Sequence, residues 1–278
     1  MGVGILLGTS AIGLISGDVG RISPSECLLI FLSGVIWATG THSYSVAVKM
    51  IGLSRSTPLK NISAVLATLI GILIFREFSF HNHLAVAMVI GGSVAIAVSA
   101  SIFARVEAPD LDVPPNEITV QPKSSTDSRH LLYGILCSLW AAVAYSVYTI
   151  PMKIAFTHGI SPSGFLFYMG HGCFVGMTLM AVIAGARPGK GVVTWKDRWL
   201  AQMSGVMWTV GSVCTNIAVK KIGVAITWPL TKNTVIAVLY GVLVLKEVDT
   251  LKHKKDLRYG IILSIAGVVL LALAMSQH

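Results

Sequence analysis

The chain has 278 residues and a formal net charge of +9, with 54% hydrophobic and only 12% charged residues; its mean hydropathy is +0.76. A soluble domain gives about a quarter of its residues to charge, and half that share cannot cover a water-facing surface, so soluble enzymes and nucleic-acid binders are excluded. The basic residues sit mainly between apolar stretches, where they meet lipid headgroups rather than nucleic acid.

Residues 1–17, 27–48, 84–104, 131–152, 163–186, 199–219 and 259–278 contain no Asp, Glu, Lys or Arg. Each run is near or above the ~18 residues that read as a membrane-spanning helix. In chain order the pattern predicts nine spanning segments: 1–17, 27–49, 57–76, 84–105, 131–155, 163–186, 200–220, 225–246 and 258–276. The expected class is an all-α, integral, multi-pass membrane protein whose first partner is the lipid bilayer. Segment 1–17 is short, and 57–76 and 225–246 each carry a Pro near the start and a Lys inside. Between the fourth and fifth segments, 106–130 holds Glu107, Asp110, Asp112, Glu117, Asp127, Pro114 and Pro115, which reads as a polar linker. It separates a first half, 1–105, with four segments, from a second, 131–278, with five. Cys27, Cys137, Cys173 and Cys214 lie in or beside apolar segments as small hydrophobes, without a CxxC or Cys/His cluster, so no metal or other cofactor is expected.

An internal repeat crosses the linker. Ser33, Gly34, Val35 and Trp37 recur as Ser204, Gly205, Val206 and Trp208, a shift of 171. In the same register Gly40 meets Gly211, Lys49 meets Lys220, Gly52 meets Gly223, and Pro58 and Leu59 meet Pro229 and Leu230. After one small gap Gly71, Arg76 and Glu77 match Gly241, Lys246 and Glu247. Five crossings are an odd number, so successive copies are expected upside down to one another. Inverted repeats are a common architecture of secondary transporters, with the binding site at the midplane between the copies. Projecting the second half back by 171 puts Met1 opposite Gly172, so a full repeat is expected to need one helix and half of another ahead of Met1.

These residues resemble the drug/metabolite transporter superfamily, which has five plus five helices and a Glu at the end of the fourth helix of each repeat. Tyr145, Tyr148, Pro151 and Lys153 look like the sixth helix of its glucose/ribose porter and rhamnose-transporter branch. Trp208, Gly211, Asn216, Lys220, Gly223, Thr227, Pro229 and Leu230 are similar to that branch's eighth and ninth helices. The resemblance covers nearly the whole chain and is most specific over 133–247. It implies transport of sugars or related carbohydrates; the departure is the branch's first helix, whose single motif running from Trp-Gly-x-Asn to Pro-x-Lys is not found in this chain. The reading is a sugar facilitator or exchanger working by alternating access between two inverted repeats, with a small carbohydrate as substrate and a second copy admitted as partner. Export of another small metabolite, or a non-transporting accessory or truncated membrane protein, are the alternatives. No catalytic dyad, metal set or HExxH supports an enzyme.

Polar groups in hydrocarbon must be paired or face a wet cavity, so each is a candidate. Lys60 and Lys232 follow Pro58-Leu59 and Pro229-Leu230 by one or two residues, and each precedes an Asn, Asn61 or Asn233. They read either as a cationic lining for an anionic or hydroxyl-rich ligand or as side chains snorkelling from a first helical turn. Pro58, Pro151 and Pro229 remove a backbone donor and are expected to bend their helices, although Pro58 and Pro229 also suit an ordinary helix start. Tyr145 and Tyr148, three apart, share a helical face and could stack on the apolar sides of a sugar. Trp208, Asn216 and Thr227, with Trp37 and Trp228, would supply further contacts; packing or an interfacial aromatic belt is the competing reading. No carboxylate lies mid-segment, because Glu77 and Glu247 end helices where ion pairing or capping is expected. That leaves His42 and His171 as candidates for a proton link, and facilitated diffusion or exchange is favoured over obligatory proton symport.

Lys and Arg number 14 in the loops after the second, fourth, sixth and eighth segments and 5 in the alternate set. Positive-inside logic then places Met1 and the basic 246–258 loop in the cytoplasm. The superfamily's usual arrangement, with both ends of ten helices cytosolic, implies the reverse, and the orientation stays open.

Overall fold

The computed structural model describes residues 1–17, 19, 22–79, 82–103, 128–185, 194–232 and 254–277. The regular structure among them is helical, the arrangement that lets a chain in hydrocarbon satisfy its own backbone. In order the helices are α1 (Gly2–Ser16), α2 (Pro24–Ile51), α3 (Leu53–Leu73), α4 (His83–Phe103), α5 (Ser128–Val147), α6 (Thr149–Thr157), α7 (Pro162–Ile183), α8 (Trp195–Ile222), α9 (Val224–Thr231) and α10 (Lys254–Met275).

Six helical stretches are long and apolar enough to cross a membrane: Pro24–Ile51, Arg55–Leu73, His83–Phe103, Arg129–Thr157, Pro162–Ile183 and Lys254–Met275. The nine segments read from the sequence thus become six by that standard among the described residues. Helix α1 is apolar but only 15 residues long. Helix α8 has 28 residues, but Gln202, Ser204, Thr209, Ser212, Thr215 and Asn216 dilute its apolar run. Helix α9 has 8 residues; residues 233–246 of the segment expected there, and the linker up to residue 127, lie outside the described residues.

Local chemistry sets the breaks. Pro151 has no N–H for the Val147 carbonyl and its ring crowds that turn, so the stretch Arg129–Thr157 divides at Tyr148 into α5 and α6. Pro229 likewise leaves the Ala225 carbonyl without its helical donor, and the Thr68 hydroxyl of α3 donates to it instead at 3.0 Å. Helix α2 gives way to α3 at Gly52 (φ 78°, ψ 165°), and α8 to α9 at Gly223 (φ 83°, ψ 170°); this backbone region is essentially confined to glycine. Ser161 starts α7 by accepting the Gly164 N–H at 3.0 Å. At the start of α8, Thr194 and Asp197 form a capping box. The Thr194 hydroxyl and N–H both donate to the Asp197 carboxylate, which holds that carboxyl below its ordinary range.

The helices gather in two compact units, one of Met1–His42 with Ala144–Gly223 and one of Ser43–Val143 with Val224–His278. In the first, α1 packs on α7 and α8, and small residues bring backbones into contact, as membrane interfaces favour. A Cβ on Gly34 of α2 would collide with the backbone of Met169 and Cys173 on α7, and one on Gly172 with the Phe31 carbonyl. In the second, α4 packs on α10, with Gly92 against Gly267, and α3 packs on both α4 and α9. Hydroxyls bridge these helices: Thr68 and Ser93 lie 2.7 Å apart, and Ser99 donates to the Gly260 carbonyl at 2.8 Å.

Candidate functional site

The first unit holds an aromatic cluster. Trp37 on α2 lies 4.7 Å between centroids from Trp208 on α8, and 6.1 Å from Tyr145 near the end of α5. Thr41 donates to the Trp37 carbonyl at 3.1 Å, so its oxygen can accept the Tyr145 hydroxyl, 3.0 Å away. Flat apolar ring faces with hydroxyls at their edge are what a pyranose presents and what it binds. Tyr145 and Trp208 are therefore gathered around Trp37. Tyr148 is buried at the α5–α6 junction where Pro151 breaks the helix, and Asn216 is buried on α8. The His171 Nδ1 donates to the Phe167 carbonyl at 2.8 Å, and its ring packs 4.5 Å from the Phe167 ring. His42 is half-buried on α2.

The second unit holds the cationic candidates. Helix α3 carries Lys60 and Asn61, α9 carries Thr227, and Lys232 follows α9 directly. Lys60 Nζ stands 4.6 Å from the centre of the Tyr44 ring, whose hydroxyl lies 2.8 Å from Thr57 Oγ1. Lys232 Nζ stands 4.9 Å from the centre of the Trp228 ring. Such cation–π contacts are worth about 0.5–2 kcal/mol. Asn61 and Thr227 are 2% and 1% exposed, and Asn61 Nδ2 and Thr227 Oγ1 have no hydrogen-bond partner among the described residues. A buried orphan polar group costs about 1–3 kcal/mol, a cost that a polar ligand removes. Under the shift of 171, Lys232 falls opposite Asn61 and Lys60 opposite Thr231, so the two lysines are neighbours in the repeat rather than exact counterparts. Pro58 and Pro229 lie inside α3 and α9. Asn233 lies outside the described residues.

Glu77 does more than close its own helix. Arg76 takes a left-handed conformation (φ 50°), and the Glu77 N–H returns to the Gly71 carbonyl at 3.1 Å. The carboxylate then accepts the amides of Val224 and Ala225 at 2.9 and 2.8 Å, capping the N-terminus of α9.

Thr41 and Tyr44 escaped the sequence reading. Their signal was the spacing of Trp37, Thr41 and Tyr44 at i, i+4 and i+7, one stripe of α2. Trp37 also had a second signal, as the repeat counterpart of Trp208.

The chain matches the family described as sugar transport protein over residues 1–274. It is 26% identical over 252 residues to a protein of Enterococcus faecalis provisionally named for sugar uptake, covering 90% of this chain and 80% of that one. The probable glucose uptake protein GlcU of Priestia megaterium is 25% identical over 267 residues, and the glucose uptake protein GlcU of Bacillus subtilis 23% over 268; each alignment covers 92% of this chain and 83% of the relative. The family and these names are those of transporters rather than enzymes. With its apolar helices and this match, the chain belongs to the sugar transport protein family, as an integral, multi-pass membrane carrier of carbohydrate.

Proposed function

We propose that the chain is a secondary carrier that moves a monosaccharide across the bilayer by alternating access, and that its two sequence halves are inverted repeats. The observation that carries this reading is a doubled helix interface in the first unit. Gly34 and Gly172 hold α2 against α7 at Met169, Cys173 and Phe31, while Gly205 and Gly4 hold α8 against α1 at Met1, Ile5 and Gln202. A shift of 171 turns Phe31 and Gly34 into Gln202 and Gly205, and a shift of 168 turns Met1, Gly4 and Ile5 into Met169, Gly172 and Cys173. Gly176 against Ala38 and Gly8 against Thr209 obey the same rule. Helices α2 and α8 both have 28 residues, and both end at a glycine of the same unusual backbone. The three-residue slip falls in the connections between helices. Duplicated pairs with an odd number of crossings per copy support opposite orientation, and rocking of one copy against the other follows from it.

The Trp37–Trp208–Tyr145 cluster supports a sugar ring as cargo, in line with the glucose uptake for which the GlcU relatives are named. Facilitated diffusion or exchange is the coupling this reading assigns, since the His171 Nδ1 is committed to a backbone carbonyl. The test is uptake of labelled monosaccharides, uncharged and charged, into proteoliposomes holding the full chain. Saturable uptake, accelerated by unlabelled sugar on the far side and indifferent to a protonophore, is expected. A protonophore-sensitive uptake would replace facilitation by proton symport, and no uptake of any monosaccharide would overturn the proposal.

A further inference from the structure

We infer that α6 is a hinged half-helix that gates the carrier, latched at its outer end by a pH-sensitive pair, His158 and Glu26. This rests on the reading of the chain as a carrier with alternating access and adds a control on its rate. Pro151 sets α6 apart from α5 at Tyr148, leaving a piece of 9 residues that can pivot where its span is already broken. Buried Met152, Ala155 and Phe156 seat its inner face. The turn that carries it into α7 is held from two sides, all within the first unit. His158 Nδ1 lies 2.8 Å from the Glu26 carboxylate at the start of α2, and the Lys220 ammonium near the end of α8 donates to the Ile160 carbonyl at 3.2 Å.

The His158 bond is additional to what α2 needs. Glu26 Oε2 already accepts the Ser23 N–H at 3.2 Å and the Ser23 hydroxyl at 2.6 Å, which caps α2. Under the shift of 171, Ser23 and Glu26 become Thr194 and Asp197, the same cap on α8. Glu26 Oε1 goes beyond that shared cap and takes a partner 132 positions away. A carboxylate only accepts, so His158 Nδ1 carries the proton of this bond. A second proton, on Nε2, makes the ring an imidazolium and the bond a charge-assisted ion pair, the stronger kind. Histidine makes that change between about pH 5 and 8, and the His158 side chain, 55% exposed, is open to solvent protons. The other ionisable groups that α2, α6, α7 and α8 bring to this end are Cys27, Lys153, Tyr168, Lys220 and Lys221; thiols, phenols and amines titrate above that range. Asp18 and Arg21, ahead of α2, lie outside the described residues, and carboxylates and guanidiniums titrate below and above it. The latch therefore tightens as pH falls through the imidazole range and slackens as pH rises.

The test is the initial uptake of labelled D-glucose into proteoliposomes holding the full chain, at about pH 5.5 and about pH 8. The pH is equal on both sides, so that no proton gradient contributes. The wild type is expected to run about threefold slower at the acid pH. His158→Gln keeps a donor but cannot titrate, and should run at the faster rate at both pH values. His158→Arg is charged throughout and should stay at the slower rate at both. Hydrogen exchange reads the half-helix itself, after correction for the intrinsic pH dependence of exchange. The α6 amides should be about threefold better protected at the acid pH in the wild type, and equally protected at both in His158→Gln. Uptake or protection in His158→Gln that follows pH as the wild type does overturns the latch and leaves the carrier standing, as does wild-type protection of α6 that ignores pH. No D-glucose uptake at either pH removes glucose as cargo, and the protection of α6 then decides the latch alone.

Discussion

Trp208 and Tyr145 touch the same neighbour for different chemical reasons, and substitution separates them. Trp208 presents ring area to Trp37, whereas Tyr145 adds a hydroxyl bonded to Thr41. Tyr145→Phe removes one hydrogen bond, a loss of about 0.5–1.5 kcal/mol. For a chain of this size that is a fall of roughly 2–4 °C in melting temperature per kcal/mol. Trp208→Ala removes the ring itself and should raise the half-saturation for sugar about tenfold, with Trp208→Phe between it and the wild type. Uptake kinetics at matched abundance check this; a Trp208→Ala protein with unchanged half-saturation and only lowered abundance would make the cluster packing. The same residues mark how far sequence reaches at this scale. Repeat arithmetic pointed at Trp208 and its counterpart Trp37. The hydroxyl that orients Tyr145 comes from Thr41, 104 positions away, and no local pattern carries such a pairing.

Elements were legible where one physical term dominated. Charge-free runs located the long apolar helices, since hydrocarbon tolerates little else. The missing N–H of Pro151 announced the interruption that separates α5 from α6. Helix α8 was harder, because its polar residues lower its hydropathy while its length and its capping box still define a helix. The cap on α9 was hidden for another reason: Glu77 lies 147 positions before Val224, and its sequence neighbours suggest a local partner. Its removal should be felt at α9 rather than at α3. Each amide bonded to a carboxylate is worth about 1.5–3 kcal/mol, so Glu77→Ala should lower thermal stability clearly. Glu77→Gln, which keeps one accepting oxygen, should lose about half as much. Hydrogen exchange at Val224 and Ala225 reads the effect directly: faster exchange there with α3 unchanged is expected. Equal loosening of α3 would show that the carboxylate serves its own helix.

At the scale of the whole molecule, each compact unit draws helices from both sequence halves, as α1 with α7 and α3 with α9 illustrate. A duplicated chain that folded as two independent halves would confine most contacts within each half; here the tight glycine contacts pair one half with the other. The sequence repeat at a shift of 171 spans α2, α8 and their glycine ends, whereas the glycine contacts of α1 and α7 correspond under a shift of 168. The proposed inversion makes a quantitative demand on mutants. Gly4 and Gly172 occupy equivalent places in the doubled interface, each facing a carbonyl, of Gln202 and of Phe31. A leucine at either site meets backbone that cannot move aside, whereas Gly91 has only the tip of Leu270 at 3.9 Å. Gly4→Leu and Gly172→Leu should therefore cost similar stability, each well beyond the ~1–3 kcal/mol of ordinary overpacking, and Gly91→Leu should be tolerated. Melting temperatures of the three proteins in one detergent decide the matter. A Gly4→Leu protein as stable as Gly91→Leu, beside a collapsed Gly172→Leu, would mean that the two interfaces are not equivalent and would remove the main support for inverted repeats.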